Sequence, residues 1–304
     1  MKSMRIPLCI ALAVAILGIV LGSFFDLSIS KAIASSSNGF ALAVSAIGPT
    51  IGFAAIACMG GGFIVLARKG DYHIVLKIGF YLLAAACIGV AIYYPGGEYF
   101  GDNGFYGAAP EWVGYLIVLI PESAAMVGGY FLFKDYQNKN LWIIFGIIVV
   151  LLVIALVAII PVLKDSIHRP RFRFLADIAH DESLFHNWWE PTKNYKDLIE
   201  LYNTNKENFK SYPSGHSAEA SILIVTVTFL PLANKKFEKY HLWLFLGACA
   251  ITLLVMFARI LAAAHFLSDV SWGAGIIILL TLIANEVVMR IKALQIPEEA
   301  PKAE

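Results

Sequence analysis

The chain has 304 residues, 59% of them hydrophobic and 15% charged, with a formal net charge of +1 and a positive mean hydropathy. That composition excludes a soluble globular domain and a disordered chain, and places the protein in the integral membrane class. A net charge so close to zero gives no ground for a nucleic-acid partner; the bilayer is the partner that composition implies.

Apolar stretches long enough to cross a bilayer, which takes about 20 residues, fall at 6–25, 45–67, 74–94, 112–133, 141–163, 217–233, 241–260 and 267–289. They predict an all-α, polytopic transmembrane helix bundle of eight spans. The first follows Lys2 and Arg5 and runs on through Phe24, Phe25 and Asp26 without a small-residue cleavage site, so it is expected to stay as an uncleaved span. Cys9, Cys58, Cys87 and Cys249 all lie inside apolar stretches, where a thiol packs as a small hydrophobe. Glu122 follows Pro121 near the middle of the fourth span, leaving both a local structural partner and a place on a transport path open. In the long polar segment 164–216, Trp188 and Trp189 fit an interfacial aromatic anchor. Its run of Asp177, His180, Asp181, Glu182 and His186 reads as solvated loop, not as a metal site. Residues 1–140 are expected to form N-terminal spans, 141–292 a catalytic core, and 293–304 a polar, disordered cytoplasmic tail.

Loop charge sets the expected orientation. Lys2 and Arg5, Arg68 and Lys69, Lys134 and Lys139, Lys235, Lys236 and Lys239, and Arg290 and Lys292 all fall on one side, which the positive-inside rule assigns to the cytoplasm. The loop from Tyr94 to Glu111 carries Glu98, Asp102 and Glu111 without a Lys or Arg, and belongs outside. Both termini are then cytoplasmic, and segment 164–216 and the turn 261–264 emerge on the same outer face. The pattern fits a bacterial cell membrane.

The ionisable residues at that face suit one chemistry. A phosphate ester brings several negative charges, and positioning and electrostatics must supply most of the catalysis. Lys164, an arginine of the 169–173 cluster and Arg259 come from the ends of two spans and can close on one anion, with guanidinium forks matching phosphate oxygens. In Pro213-Ser214-Gly215-His216, a hydroxyl and a glycine amide sit where a helix begins, a natural anion site. His265 and Asp269 are four residues apart, so on a helix they share a face, and the carboxylate can hold one ring nitrogen while the other attacks phosphorus. His216 is left as general acid, then base. Three cations do the neutralising that magnesium does elsewhere, and no cluster of carboxylates is apparent at the same pocket, so neither metal nor other cofactor is expected.

At these residues the chain resembles the type 2 phosphatidic acid phosphatase superfamily, whose motifs are K-x6-R-P, P-S-G-H and S-R-x5-H-x3-D. P-S-G-H is complete at 213–216, and R-x5-H-x3-D is complete at Arg259, His265 and Asp269, with Ala258 in place of the preceding serine. Six residues separate Lys164 from Arg171, which is followed by Phe172; the Arg169-Pro170 pair comes two residues earlier. Spacing favours Arg171, with Arg169 as a flanking cation in the same pocket. The resemblance implies a helical membrane phosphatase with His265 as nucleophile, Asp269 orienting it and His216 as acid. Lys164, Arg171, Arg259, Ser214 and the Gly215 amide would hold phosphate without metal. Members usually carry three spans before the first motif; five precede it here.

The expected activity is hydrolysis of a lipid phosphate monoester or diphosphate through a phosphohistidine. Phosphatidate, phosphatidylglycerol phosphate and polyprenyl diphosphate are candidate substrates. The alternatives are a lipid phosphotransferase on the same scaffold and a transporter with a non-catalytic anion site.

Overall fold

A computed structural model describes residues 4–101 and 108–294. The expected tail beyond 294, Lys2 and Asp102 lie outside the described residues. All regular elements among the described residues are helical, and eight of them are long and apolar enough to cross a membrane. They are α1 (Arg5–Ile33), α2 (Gly39–Lys69), α3 (Ile74–Glu98), α4 (Glu111–Phe133), α5 (Leu141–Ile167), α6 (Gly215–Leu232), α7 (Lys235–Leu261) and α8 (Leu267–Arg290). The protein is an integral membrane protein by this count.

Several spans are longer than the apolar runs in the sequence, and the difference matters. Helix α1 does not stop where apolarity stops; it continues two turns to Ile33 and carries Asp26 with it. Helix α2 begins at Asn38, whose side chain accepts from the Ala41 amide at 3.0 Å, a capping bond that starts the helix well before its apolar run. Helix α5 passes through a π-helical stretch, Ile154–Ile159, before Pro161 and ends at His168, which takes the left-handed conformation at φ 49°.

Helix α2 is the most buried span and forms the centre of the bundle, with α3 and α4 on one side and α6 and α7 on the other. Glycines permit these contacts. A Cβ on Gly61 would stand 2.1 Å from the Met126 carbonyl oxygen of α4, and one on Gly52 would stand 2.1 Å from the Glu219 carbonyl oxygen of α6. Helix α1 lies along α8 in the same way, with Gly18 against Ser271 and Gly22 against Ser268. Backbones that approach this closely gain packing where lipid gives no hydrophobic drive between helices.

The ends of the bundle differ. At one, Lys69 donates to the Lys134 carbonyl and Gln137 to the Ala233 carbonyl, joining the lysine-rich turns. At the other, segment 168–214 folds into a packed cap. Arg171 donates its amide to Asn208 and Ser211 donates to Arg169, tying the two ends of the segment together. Phe172, Phe174, Leu175, Phe209 and Phe266 form an apolar cluster of their own beneath it. Trp188, expected as a lipid anchor, turns inward instead: its indole N–H donates to Ser23 at 3.0 Å and its ring packs on Trp272 and Tyr212. Trp189 stays exposed.

Candidate active site

Five local structures deliver the site to the capped end. The last turn of α5 supplies Lys164. The irregular stretch after it supplies Arg169 and Arg171, both fully buried. The start of α6 supplies Ser214, Gly215 and His216; Ser214 is the N-cap, and its hydroxyl accepts from the Ser217 amide at 3.4 Å and the Ser217 hydroxyl at 3.0 Å. A Cβ on Gly215 would be 3.7 Å from Lys164 Nζ, so the ammonium rests beside the helix start. The last turn of α7 supplies Arg259, also fully buried. The chain then turns through Ala263, at φ 56°, and both Ala264 and His265 donate their amides to the Arg259 carbonyl at 3.2 Å. That tight turn sets His265 beside Arg259.

His265 is not on the helix with Asp269. It precedes Phe266, the N-cap of α8, and its Nδ1 lies 2.6 Å from the Ser211 carbonyl oxygen. A carbonyl only accepts, so Nδ1 carries the proton and Nε2 keeps the lone pair. Burial first, then the charges of Arg259, Arg171 and Lys164, holds this imidazole well below the usual histidine range. The ring is therefore neutral, with a nucleophilic nitrogen, among three cations.

Asp269 does not touch that ring, which corrects the shared-face expectation. Its Oδ2 accepts from the Ser211 hydroxyl at 2.6 Å and the Phe266 amide at 3.0 Å, and its Oδ1 accepts from Arg169 at 2.6 Å. Its connection to His265 runs through Ser211, whose hydroxyl meets Asp269 and whose carbonyl meets the ring. Arg169 in turn is no flanking cation of the phosphate pocket, because its guanidinium is held between Asp269 and Asp26. Arg171 is the arginine in electrostatic reach of Lys164 and Arg259.

Two carboxylates missed in the sequence stand at His216. Glu98 Oε2, from the end of α3, lies 3.6 Å from Nε2, and Glu219 Oε2 lies 3.9 Å from Nδ1. Carboxylates thus do reach the pocket, contrary to the expectation. Among the described residues no group of three or more His, Cys, Asp or Glu side chains is gathered around a metal-sized site. Glu219 was legible as one turn past His216 on the same helix; Glu98 was read only as a loop charge. At the rim, Glu207 sits 3.8 Å from Arg171 and is bonded to Lys210. Burial pushes its carboxyl up, but the Lys210 hydrogen bond and the Arg171 charge outweigh that and hold it below the usual glutamate value.

A cavity of about 570 Å³ opens from Lys164, Gly215 and Glu219 and runs down between α2, α3 and α5, past Phe53, Leu83, Val90 and Leu156. Glu122 has no part in it: its two carboxylate oxygens are buried without a hydrogen-bond partner among the described residues, and nothing in the structure explains that.

The PAP2 superfamily profile matches residues 124–292, the stretch that holds every motif residue. No curated protein and no solved structure matches the chain. With more than half of its length matched, and with eight apolar helices, the chain belongs to the PAP2 superfamily and is a membrane phosphatase of that family.

Proposed function

We propose that the protein hydrolyses a lipid phosphate monoester or diphosphate, of the phosphatidate, phosphatidylglycerol phosphate or polyprenyl diphosphate class, through a phosphohistidine. The observation that carries this reading is the junction of a cationic pocket with an apolar groove: Lys164, Arg171 and Arg259 surround His265, and the groove that starts at Lys164 suits a hydrocarbon tail.

In the first step His265 Nε2 attacks the terminal phosphorus, the bond from that phosphorus to the lipid oxygen of a monoester or to the bridging oxygen of a diphosphate breaks, and His216 in its protonated form donates a proton to the departing alkoxide or lipid phosphate. In the second, His216 takes a proton from water, the hydroxide attacks phosphorus, and the P–N bond breaks to free inorganic phosphate and neutral His265. Lys164, Arg171, Arg259, the Ser214 hydroxyl and the Gly215 amide hold the phosphoryl oxygens throughout. Negative charge is met by fixed cations, which supports turnover without metal. The lysine-rich turns at the far end of the bundle support a cytoplasmic placing of that end, with the site on the outer face of a bacterial membrane.

The test is phosphate release in detergent, with chelator, over a panel of lipid phosphates and diphosphates, for the intact protein and His265→Ala. Activity that survives chelator and is lost in the variant supports the reading. No release, but transfer of phosphate to an added alcohol, would make the protein a phosphotransferase. Substrate-dependent flux into vesicles without turnover would make it a transporter.

A further inference from the structure

We propose that Asp26, on the first span, is a positioning residue for the catalytic histidine, acting through Arg169. The inference rests on His265 being the nucleophile.

The contacts run in one line from α1 to the ring. Asp26 Oδ2 accepts from Arg169 Nη2 at 2.9 Å, and Arg169 Nη1 donates to Asp269 at 2.6 Å. Asp269 fixes both the Ser211 hydroxyl and the Phe266 amide, and the Ser211 carbonyl takes the Nδ1 proton of His265. Ser268 closes the arrangement from α8: its hydroxyl bonds Asp26, its amide donates to Asp26 Oδ1 at 3.0 Å, and its oxygen accepts from Arg169 at 2.9 Å. Arg169 Nε donates to the His186 carbonyl at 2.8 Å, and the guanidinium lies over the Phe266 ring, 4.3 Å from its centroid. Asp26, Arg169, Ser268 and Asp269 are all at most 2% exposed.

One guanidinium between two buried carboxylates makes poor sense as a stability device, since a buried pair barely recovers its desolvation cost and a second carboxylate adds more of it. It makes sense as a holder. A planar fork gripped at both sides cannot swing, so Asp269 cannot leave Ser211, and the carbonyl that sets the imidazole plane stays in place. The formal charges of the three groups sum to −1 beneath a ring that becomes cationic when Nε2 bonds to phosphorus. Gly18 and Gly22 let α1 come close enough to α8 for Asp26 to reach. This gives the first span, which lies outside the matched stretch 124–292, a function in the reaction.

The test compares Asp26→Asn, Arg169→Gln, the double variant and His265→Ala in one assay, using monodisperse protein in detergent and a substrate the wild type turns over. Asp26→Asn should lower kcat about 10- to 100-fold, the range for partners that orient a reacting group, with KM within about twofold. The double variant should be no worse than the poorer single, because both break one line of contacts. A merely structural role would lower yield and Tm but leave kcat of the folded fraction unchanged. If Asp26→Asn does not survive purification, Ser268→Ala, which keeps every charge, should show the same kcat-only loss. A kcat within about twofold of wild type, or additive losses, would overturn the proposal while an inactive His265→Ala left the phosphatase reading standing. An active His265→Ala would overturn both.

Discussion

The sharpest consequence of the packing concerns Gly273, on α8 one turn beyond Asp269. A Cβ there would stand 2.2 Å from the Ser214 carbonyl oxygen and 3.3 Å from Ser217 Cβ, against the backbone of the P-S-G-H turn. Carbon and oxygen need about 3.5 Å, so Gly273→Ala must open the contact by about 1 Å. Ser214 has little freedom to absorb that, since its amide donates to the Asp269 carbonyl at 3.0 Å and its hydroxyl caps α6. The phosphate-binding turn and His216 must therefore move. A displacement of about 1 Å costs about 100-fold in rate, and overpacking adds about 1–3 kcal/mol of destabilisation. Gly275→Ala is the control: two residues along the same helix, its Cβ would meet Ala15 Cβ at an ordinary 3.5 Å. Replacing glycine by alanine inside a helix should then be neutral, or stabilising by about 0.5–1 kcal/mol. Phosphate release and thermal unfolding in detergent would be measured on both. If Gly273→Ala kept wild-type kcat/KM and the Tm of Gly275→Ala, the argument that α8 fixes the phosphate-binding turn would be wrong.

Other outcomes follow from the same geometry. The lowered proton affinity of His265 means that its neutral, nucleophilic form persists as pH falls, so its acid limb in kcat/KM should lie below about 6.5, once the substrate's own ionisation near about 6 is allowed for. A tenfold loss per unit already beginning above pH 7 would contradict this. Arg171→Gln removes one of three clustered cations; kcat/KM should drop about 100-fold or more while Tm changes little, because the relief of like charges at Lys164 and Arg259 is offset by the lost attraction to Glu207. A Tm loss without a kinetic effect would show Arg171 to be structural. Ala86→Trp places a large ring at the lipid-facing side of the groove, so turnover of a long-chain lipid phosphate should fall about tenfold while a short, soluble phosphate ester is unaffected. Equal loss on both substrates would argue against a tail in this groove.

Much of this was legible along the chain. Eight spans follow from runs of about 20 apolar residues, because backbone in lipid must satisfy its own hydrogen bonds. Helix ends were less so: the runs mark where side chains meet lipid, whereas α1 and α2 extend as far as caps and packing allow, which is how Asp26 came to lie inside a helix instead of after one. The chemistry of the site was legible as residue types at fixed spacing, since Lys164, His216 and Arg259 lie at span ends on one face of the bundle, and Arg171 and His265 lie in the segments that emerge from those ends.

What sequence could not decide was pairing. Arg169 and Arg171 are two residues apart on an irregular stretch, and their surroundings differ because Asp26, 143 residues earlier, and Asp269, 100 residues later, close on the first, whereas the second stands near Lys164, Arg259 and Glu207. His265 and Asp269 look like partners at helical spacing, yet the turn at Ala263 keeps His265 off the helix, and a carbonyl from Ser211 takes the ring. Glu98 reaches His216 from a helix end more than a hundred residues away. Hydropathy and motif spacing are local properties written along the chain. Which charge neutralises which is a property of distance in space, and only the packing of α1 on α8 and of the cap on both sets those distances.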